Sequence, residues 1–311
     1  MSKKLAIGID IGGTLTKVGF VDRAGELYAH LDFKTRSYLR VDDYVSVLAS
    51  KIQYLEKQLS FDFEMMGIGI GAPNANYYRG TIEHAANLDW KGVIPFASKV
   101  KTHFKVPIYI TNDANAAAIG EVVYGNAKQM RDFIVITLGT GLGSGIFANG
   151  ELIYGHDAMA GELGHISIDK EGRLDGLGIK GGLEAYVSST GIKRTIFELL
   201  SDSISDSELR NYSFNNLHGE YITKAAENGD EIARAAFEMT GKILGEQLAN
   251  FVAFSHPEAI FLLGGLAKSG KWIFEPTQKH LEDNVFTLEE NCQENFRLLS
   301  QDIYHINDKI K

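Results

Sequence analysis

Apolar and polar positions alternate with the period of a half-buried strand over Leu5–Ile11, Lys17–Asp22 and Glu26–Lys34. A glycine turn joins the first two stretches, and Asp22-Arg23-Ala24-Gly25 joins the last two. The period then becomes helical. From Asp42 to about Leu59, residues Tyr44, Val45, Leu48, Ile52 and Leu55 share a face, with Asp42 read as the cap. Further on, the pattern predicts strands at Met65–Ile70 and Val106–Thr111 and helices at Ile94–Phe104 and Ala114–Tyr124. Strand, turn and strand recur at Phe133–Leu138, Gly145–Ala148 and Glu151–Tyr154, with another short strand at Ile166–Ile168. The second half reads as more helical, at about 182–200, 216–228, 230–254 and 271–286, around a buried strand Ala259–Leu263. Alternating strands and helices predict an α/β protein.

The first stretch has an echo. Ile9-Asp10-Ile11-Gly12-Gly13-Thr14-Leu15 resembles Ile136-Thr137-Leu138-Gly139-Thr140-Gly141-Leu142, and Gly25-Glu26-Leu27 resembles Gly150-Glu151-Leu152. Two hairpins with glycine-rich turns, in the same order, point to a duplicated core. Composition sharpens this. Of 33 glycines, 26 fall in five clusters, at 8–25, 67–80, 139–164, 172–191 and 264–270. A single cluster needs no more than strand-end turns. Five of them, mostly after apolar runs, suggest backbone brought close to a ligand.

Charge and cysteine exclude other classes. A formal net charge of −9 makes a general phosphate-backbone binder a poor reading, so nucleic acid is not an expected partner. No apolar run is long enough to span a bilayer. The amino-terminal stretch fails as a signal peptide because Asp10 and Gly12-Gly13 interrupt its apolar core. One cysteine, Cys292, rules out an internal disulfide and agrees with a cytoplasmic location.

The glycine turns carry specific chemistry. Backbone N–H groups at Gly12, Gly13 and Thr14 can form an anion-binding concavity, with Lys17 adding charge and Asp10 able to hold Mg²⁺. The chain has no Walker sequence, and no GxGxxG opens a helix. Leu138 to Gly145 has the same character, so the two turns would grip one triphosphate. A third turn, Gly264-Gly265, follows a buried strand and suits a nucleoside.

Together these motifs resemble the ROK family of sugar kinases, within the actin-like, hexokinase and Hsp70 ATPase superfamily. The residues carrying the resemblance are Asp10 to Thr14 with Lys17, Gly71-Ala72-Pro73, Asn87 to Trp90 and Thr111 to Asn115. Leu138 to Gly145, Gly161 to His165, Leu183 to Tyr186 and Gly264-Gly265 complete the set. The resemblance implies a two-lobed actin-like ATPase fold of the ribonuclease H-like type, with a duplicated β-sheet core and an interlobe cleft. The small lobe would span 1–112 and the large lobe 113–299. It also implies a homodimer.

Asn112-Asp113 precedes a predicted helix, where an N-cap is the ordinary reading. The resemblance instead makes Asp113 the general base that takes the proton of a sugar hydroxyl, with Asn112 beside it on the sugar. Glu162 and His165, read alone, are polar residues of a turn. By resemblance they contact the sugar together with Asn87 and Glu184. Gly12, Gly13, Thr14, Gly139, Thr140 and Gly141 would cradle the phosphates of ATP. Trp90 could stack on a sugar, but packing is the preferred reading.

Three departures stand out. The family's zinc loop has the pattern Cys-x-Cys-Gly-x-x-Gly-Cys, and its three cysteine positions read Asp175, Leu177 and Gly182 here. His165, a zinc ligand in the family, is left with Asp175 alone, so no zinc is expected. Asn74 replaces a common glycine. The family's closing Asp-Ala-x-x-x-Gly-Ala helix is absent or replaced at 300–311. The expected function is an ATP-dependent hexose kinase, foremost a glucokinase acting on the 6-hydroxyl of glucose. Alternatives are a kinase for N-acetylmannosamine, N-acetylglucosamine or fructose, or a non-catalytic sugar binder. A sugar-responsive repressor is disfavoured because strand one starts near Leu5, leaving no room for a helix-turn-helix.

Overall fold

The computed structural model describes residues 2–285 and 297–300. Cys292 and the stretch 301–311, where the family's closing helix was sought, lie outside the described residues. The chain divides into two compact units. The first holds the described residues up to Gln129 together with Tyr154–Ala160, and the second holds Met130–Ile153 and the described residues after Ala160.

In the first unit, strands β1 (Lys3–Ile11), β2 (Leu15–Val21) and β3 (Leu27–Lys34) form an antiparallel meander. Leu5, Ile7, Ile9 and Ile11 of β1 and Thr16, Val18 and Phe20 of β2 are buried, as the alternation predicts. Helix α1 (Val41–Glu56) covers this face with Tyr44, Val45, Leu48, Ala49, Ile52 and Leu55. Asp42 is not its cap. The N-cap is Arg40, which makes no side-chain cap bond, and Asp42 sits in the first turn, where the helix dipole favours a carboxylate. Strand β4 (Phe63–Ala72) runs parallel to β1. A small sheet follows, made of β5 (Ala75–Asn76), β6 (Thr81–Glu83) and β7 (Val93–Ile94). Helix α2 (Phe96–Lys101) is shorter than its pattern, and β8 (Ile108–Asn112) closes the main sheet against β4. Helix α3 (Asp113–Val123) leaves the end of β8 directly. The sheet order is β3-β2-β1-β4-β8.

The second unit repeats this plan. Strands β9 (Phe133–Leu138), β10 (Leu142–Ala148) and β11 (Glu151–Leu152) form the meander. The β10–β11 turn is Asn149-Gly150 with both residues at positive φ (54° and 82°), the geometry a two-residue hairpin prefers. Helices α4 (Ser189–Asp202), α5 (Gly219–Glu227) and α6 (Glu231–Ser255) precede β12 (Ala259–Leu263), which is parallel to β9 and wholly buried. Helix α7 (Lys271–Asn284) leads to β13 (Arg297–Ser300), parallel to β12. The order β11-β10-β9-β12-β13 matches the first sheet strand for strand, in position and direction. The duplication expected from the echo is therefore present as topology.

Two expectations fail. Ile166–Ile168 is not a strand. Only Ser167 makes an isolated bridge, to Gly182, because the chain enters that region from a 3-10 turn at Leu163–His165. The helix expected over 182–200 is broken. Leu183–Ala185 is a 3-10 turn, and α4 begins afresh where the Ser188 hydroxyl accepts the Gly191 N–H. No helix among the described residues is long and apolar enough to cross a membrane.

A buried hydroxyl chain ties the first meander to α1. Thr16 Oγ1 lies 2.9 Å from Thr35 Oγ1 and 2.7 Å from the Tyr44 hydroxyl. Burial pushes the Tyr44 phenol above its usual pKa, so it stays neutral and can donate. Tyr44→Phe is expected to lower the free energy of unfolding by about 1 kcal/mol, because Thr16 loses a partner in a dry site. Urea denaturation of the full chain reads this, and an unchanged midpoint would refute it.

Candidate active site

In the first unit the expected residues gather at one end of the main sheet. Gly12 N donates to Leu15 O (3.0 Å), closing the β1–β2 turn that carries Gly13 and Thr14. Asp10 and Lys17 are cross-strand partners just below the turn. A Cβ on Gly13 would lie 2.9 Å from the Asn87 carbonyl oxygen, so the bare backbone at 13 is what seats the Asn87 loop beside the turn. Asn74, which replaces the family's glycine, has φ 50°, a left-handed conformation that asparagine tolerates better than most residues.

Asn112 and Asp113 divide the work at the head of α3. Asn112 is the N-cap. Its Oδ1 accepts from Ala114 N (2.8 Å) and, at a longer 3.4 Å, from Asn115 N. Asp113 is the first helical residue, and its Oδ1 accepts from the Ala114 N–H (2.9 Å). The cap reading thus belongs to Asn112, and Asp113 is not needed for it. Burial pushes the Asp113 carboxyl above its ordinary pKa. The Ala114 amide opposes this, and the negative charge of Asp10 adds to it. Asp10 is raised too, by burial, against the pull of Lys17. Both residues keep solvent-exposed surface while protein crowds their carboxyls.

Gly71 explains how the two aspartates meet. On β4 it pairs with Asp10 on one side and Thr111 on the other. A Cβ there would stand 3.1 Å from Ala116 Cβ and 3.6 Å from Asp113 Cα. The head of α3 rests on the space that a side chain would fill.

In the second unit the expected residues gather around the β9–β10 turn. Gly139 N donates to Gly141 O (3.0 Å). The Glu184 carboxylate is laid against this turn. Its Oε2 accepts from Leu142 N (2.9 Å) and occupies the space a Cβ on Gly141 would need. Gly264, at φ 97°, packs so closely that a Cβ would meet Leu138 O at 2.7 Å, which brings the Gly264-Gly265 turn to the foot of the first one. Thr140 is exposed beside them. Glu162 and His165 face each other, with Glu162 Oε2 3.9 Å from His165 Nε2. Gly161 is fastened to β10 by the Ser144 hydroxyl, which donates to its carbonyl.

One residue here escaped the sequence reading, and a second was placed by it without its contact. Ser189 N donates to Gly139 O (2.8 Å), which sets the head of α4 against the turn. The Ser188-Ser189-Thr190-Gly191 cap signal was there to find it. Asp175, which the zinc-loop resemblance set beside His165, stands with its Oδ2 2.8 Å from His165 Nδ1 in direct hydrogen bond. Trp90 is a packing residue. It is 5 % exposed, its Nε1 donates to Tyr38 O (3.0 Å), and its ring lies 4.5 Å from that of Tyr44.

Comparison with known proteins identifies the family. The ROK family profile matches residues 6–302. A glucokinase of Halalkalibacterium halodurans is 33 % identical over 289 residues, which cover 91 % of this chain and 86 % of that protein. A glucokinase of Streptomyces coelicolor is 32 % identical over 280 residues, covering 88 % of this chain and 86 % of that one. Among solved structures, a ROK family glucokinase from Streptomyces griseus in complex with glucose and AMPPNP superposes with a TM-score of 0.80. It is 29 % identical, over 95 % of this chain and 94 % of that one. With the family profile matched along nearly its whole length, and the actin-like α/β fold in common, this chain belongs to the ROK family.

Proposed function

We propose that this chain is an ATP-dependent hexose kinase that transfers the γ-phosphoryl group of ATP to the 6-hydroxyl of glucose. The observation that carries the reading is the Asp113 carboxyl, relieved of capping by Asn112 and raised in pKa by burial and by Asp10. A carboxylate so placed is a better base than one in water. Asp113 accepts the hydroxyl proton as the sugar oxygen attacks the γ-phosphorus, and the bond from that phosphorus to the β,γ-bridging oxygen breaks, releasing ADP. Amides at Gly12, Gly13, Thr14, Gly139, Thr140 and Gly141 would donate to phosphate oxygens, Lys17 would add charge, and Gly264 and Gly265 would lie along the nucleoside.

Asn87, Glu162, His165 and Glu184 would bind the sugar hydroxyls. Because Asn112 Oδ1 is committed to the cap, only its Nδ2 is left to donate to a hydroxyl. Mg²⁺ fits Asp10, a solvent-reachable carboxylate beside the phosphate turn, since this ion is commonly held by one carboxylate plus substrate phosphates. When bound it would spread the charge of the transferring group. We further propose that the protein acts in the cytoplasm as a homodimer on small molecules, without nucleic acid.

The reading is tested by ADP release with glucose, mannose, fructose, N-acetylglucosamine and N-acetylmannosamine. Glucose is expected to give the highest kcat/KM, and a preference for an N-acetylated sugar would replace it with that alternative. Asp113→Asn is expected to lower kcat by at least about a hundredfold while leaving glucose affinity nearly intact. Retention of a tenth of kcat would rule out this base.

The same variant is expected to be more stable at neutral pH. With its folded pKa raised above the ordinary 3.8, Asp113 binds more proton in the folded than in the unfolded state over the interval between the two values. Stability therefore falls as pH rises through that interval, and the deficit persists above it. Asparagine has no such deficit. Thermal melts should place Asp113→Asn above wild type at pH 7, with the gap closing in strong acid, and equal melting temperatures at pH 7 would contradict it.

A further inference from the structure

The stretch between His165 and Glu184 departs from the family's zinc loop in a way the geometry makes specific. Leu177 and Gly182 carry no side-chain donor at two of the three thiolate positions. A Cβ on Gly182 would stand 2.9 Å from Asp175 Oδ2, so the backbone at 182 leaves little room for a ligating side chain. His165 Nδ1 and Asp175 Oδ2 are 2.8 Å apart, in direct hydrogen bond. Two tetrahedral zinc ligands at ordinary bond lengths would be roughly 3.3 Å apart. The residues present do not fit zinc.

What stands there instead is a built anchor. The Asp175 side chain has no exposed surface. Its Oδ1 accepts from Leu177 N (2.9 Å) and Ile179 N (2.8 Å), which turns the loop back on itself, and Oδ2 faces the imidazole. Burial would raise this carboxyl, but the His165 bond and the two amides outweigh it and leave it below the usual range. Arg173 fastens the same loop to α4. Its guanidinium donates to Gly191 O (3.3 Å), Thr195 Oγ1 (3.1 Å) and Glu198 Oε1 (3.0 Å), and it lies over the Tyr186 ring at 4.7 Å.

We propose that Asp175 takes the place of a metal as the positioning residue of His165. It accepts the Nδ1–H of the neutral imidazole, which leaves the lone pair at Nε2, on the side of Glu162, to accept a hydrogen bond from a sugar hydroxyl. The second half of this statement rests on the sugar site proposed above. The first half does not.

The test compares wild type, Asp175→Asn and His165→Gln as full-length protein. Asparagine at 175 keeps an oxygen for the Leu177 and Ile179 amides, so the loop retains its turn while the acceptor facing His165 becomes a donor. Long-range ¹H–¹⁵N spectra, with His165 assigned by its loss in His165→Gln, are expected to show the Nδ1–H tautomer in wild type and the Nε2–H tautomer in Asp175→Asn. The KM for glucose is expected to rise about tenfold in Asp175→Asn, with kcat changed far less. Elemental analysis showing one tightly held zinc per chain would overturn the proposal. So would an Nδ1–H tautomer retained in Asp175→Asn, or an unchanged glucose KM in that variant when His165→Gln is impaired. An unchanged KM in His165→Gln would instead overturn the sugar role of His165, leaving the anchor to be judged by the tautomer and the metal content.

Discussion

The absence of a side chain at position 71 is what lets the head of α3 lie close against the first unit's main sheet. Strand β4 passes between β1 and β8, and Gly71 sits between Asp10 and Thr111 in the pairing. The head of α3 can then settle onto the sheet, with Asp113 Cα only 3.6 Å from where a Cβ would be. A larger residue would press its Cβ on Ala116 Cβ at 3.1 Å, so α3 would have to give way slightly. The closeness is not favourable in itself, because each carboxyl is raised by burial and Asp113 further by its neighbour. Asp10 lies on a strand of the buried sheet core, and α3 packs on β4 and β8 of the same sheet, so the pair is held against its own electrostatics.

The second unit uses the same device for a different end. Strand β12 is the counterpart of β4, and the chain turns at Gly264 immediately after it, against the carbonyl of Leu138. The cross-strand positions also correspond. Gly71 pairs with Asp10, whereas Leu263, just before Gly264, pairs with Thr137. In the sequence echo Thr137 occupies the place of Asp10. One copy therefore keeps a carboxylate under its glycine turn and the other a neutral hydroxyl.

Legibility in the sequence followed the range of the interactions. The two meanders, α1, α3 and α6 were readable because alternation, helical periodicity and glycine turns are local signals, and the duplication followed from two similar hairpins. Ile166–Ile168 looked like a strand because three residues cannot reveal whether a partner strand is present. The break before α4 was written in Ser188-Ser189-Thr190-Gly191, but the apolar residues on either side masked it. The small sheet β5-β6-β7 has strands of two or three residues, too short for any period. At the site, the glycine turns and Asp113 were legible as motifs. The Glu184 bond to Leu142 N depends on loops closing over distance, and no local pattern records it, while Asp175 was legible only as a lost cysteine position and not as the hydrogen-bond partner of His165.

Asp113 and Asp175 show how surroundings assign work to one residue type. Each is crowded by protein, and burial alone would raise both carboxyls. Asp175 has two backbone amides on one oxygen and an imidazole on the other, and its pKa falls. Asp113 has the Ala114 amide and its own backbone amide, but burial and the like charge of Asp10 outweigh them, and its pKa rises. A carboxylate whose oxygens are both supplied with donors gains little from a proton and serves as a fixed support. One crowded by protein beside a second negative charge gains more from a proton. Asn112 Oδ1 takes the Asn115 amide and shares the Ala114 amide with Asp113 Oδ1, so the helix is capped without drawing the Asp113 carboxyl onto a further amide of the first turn.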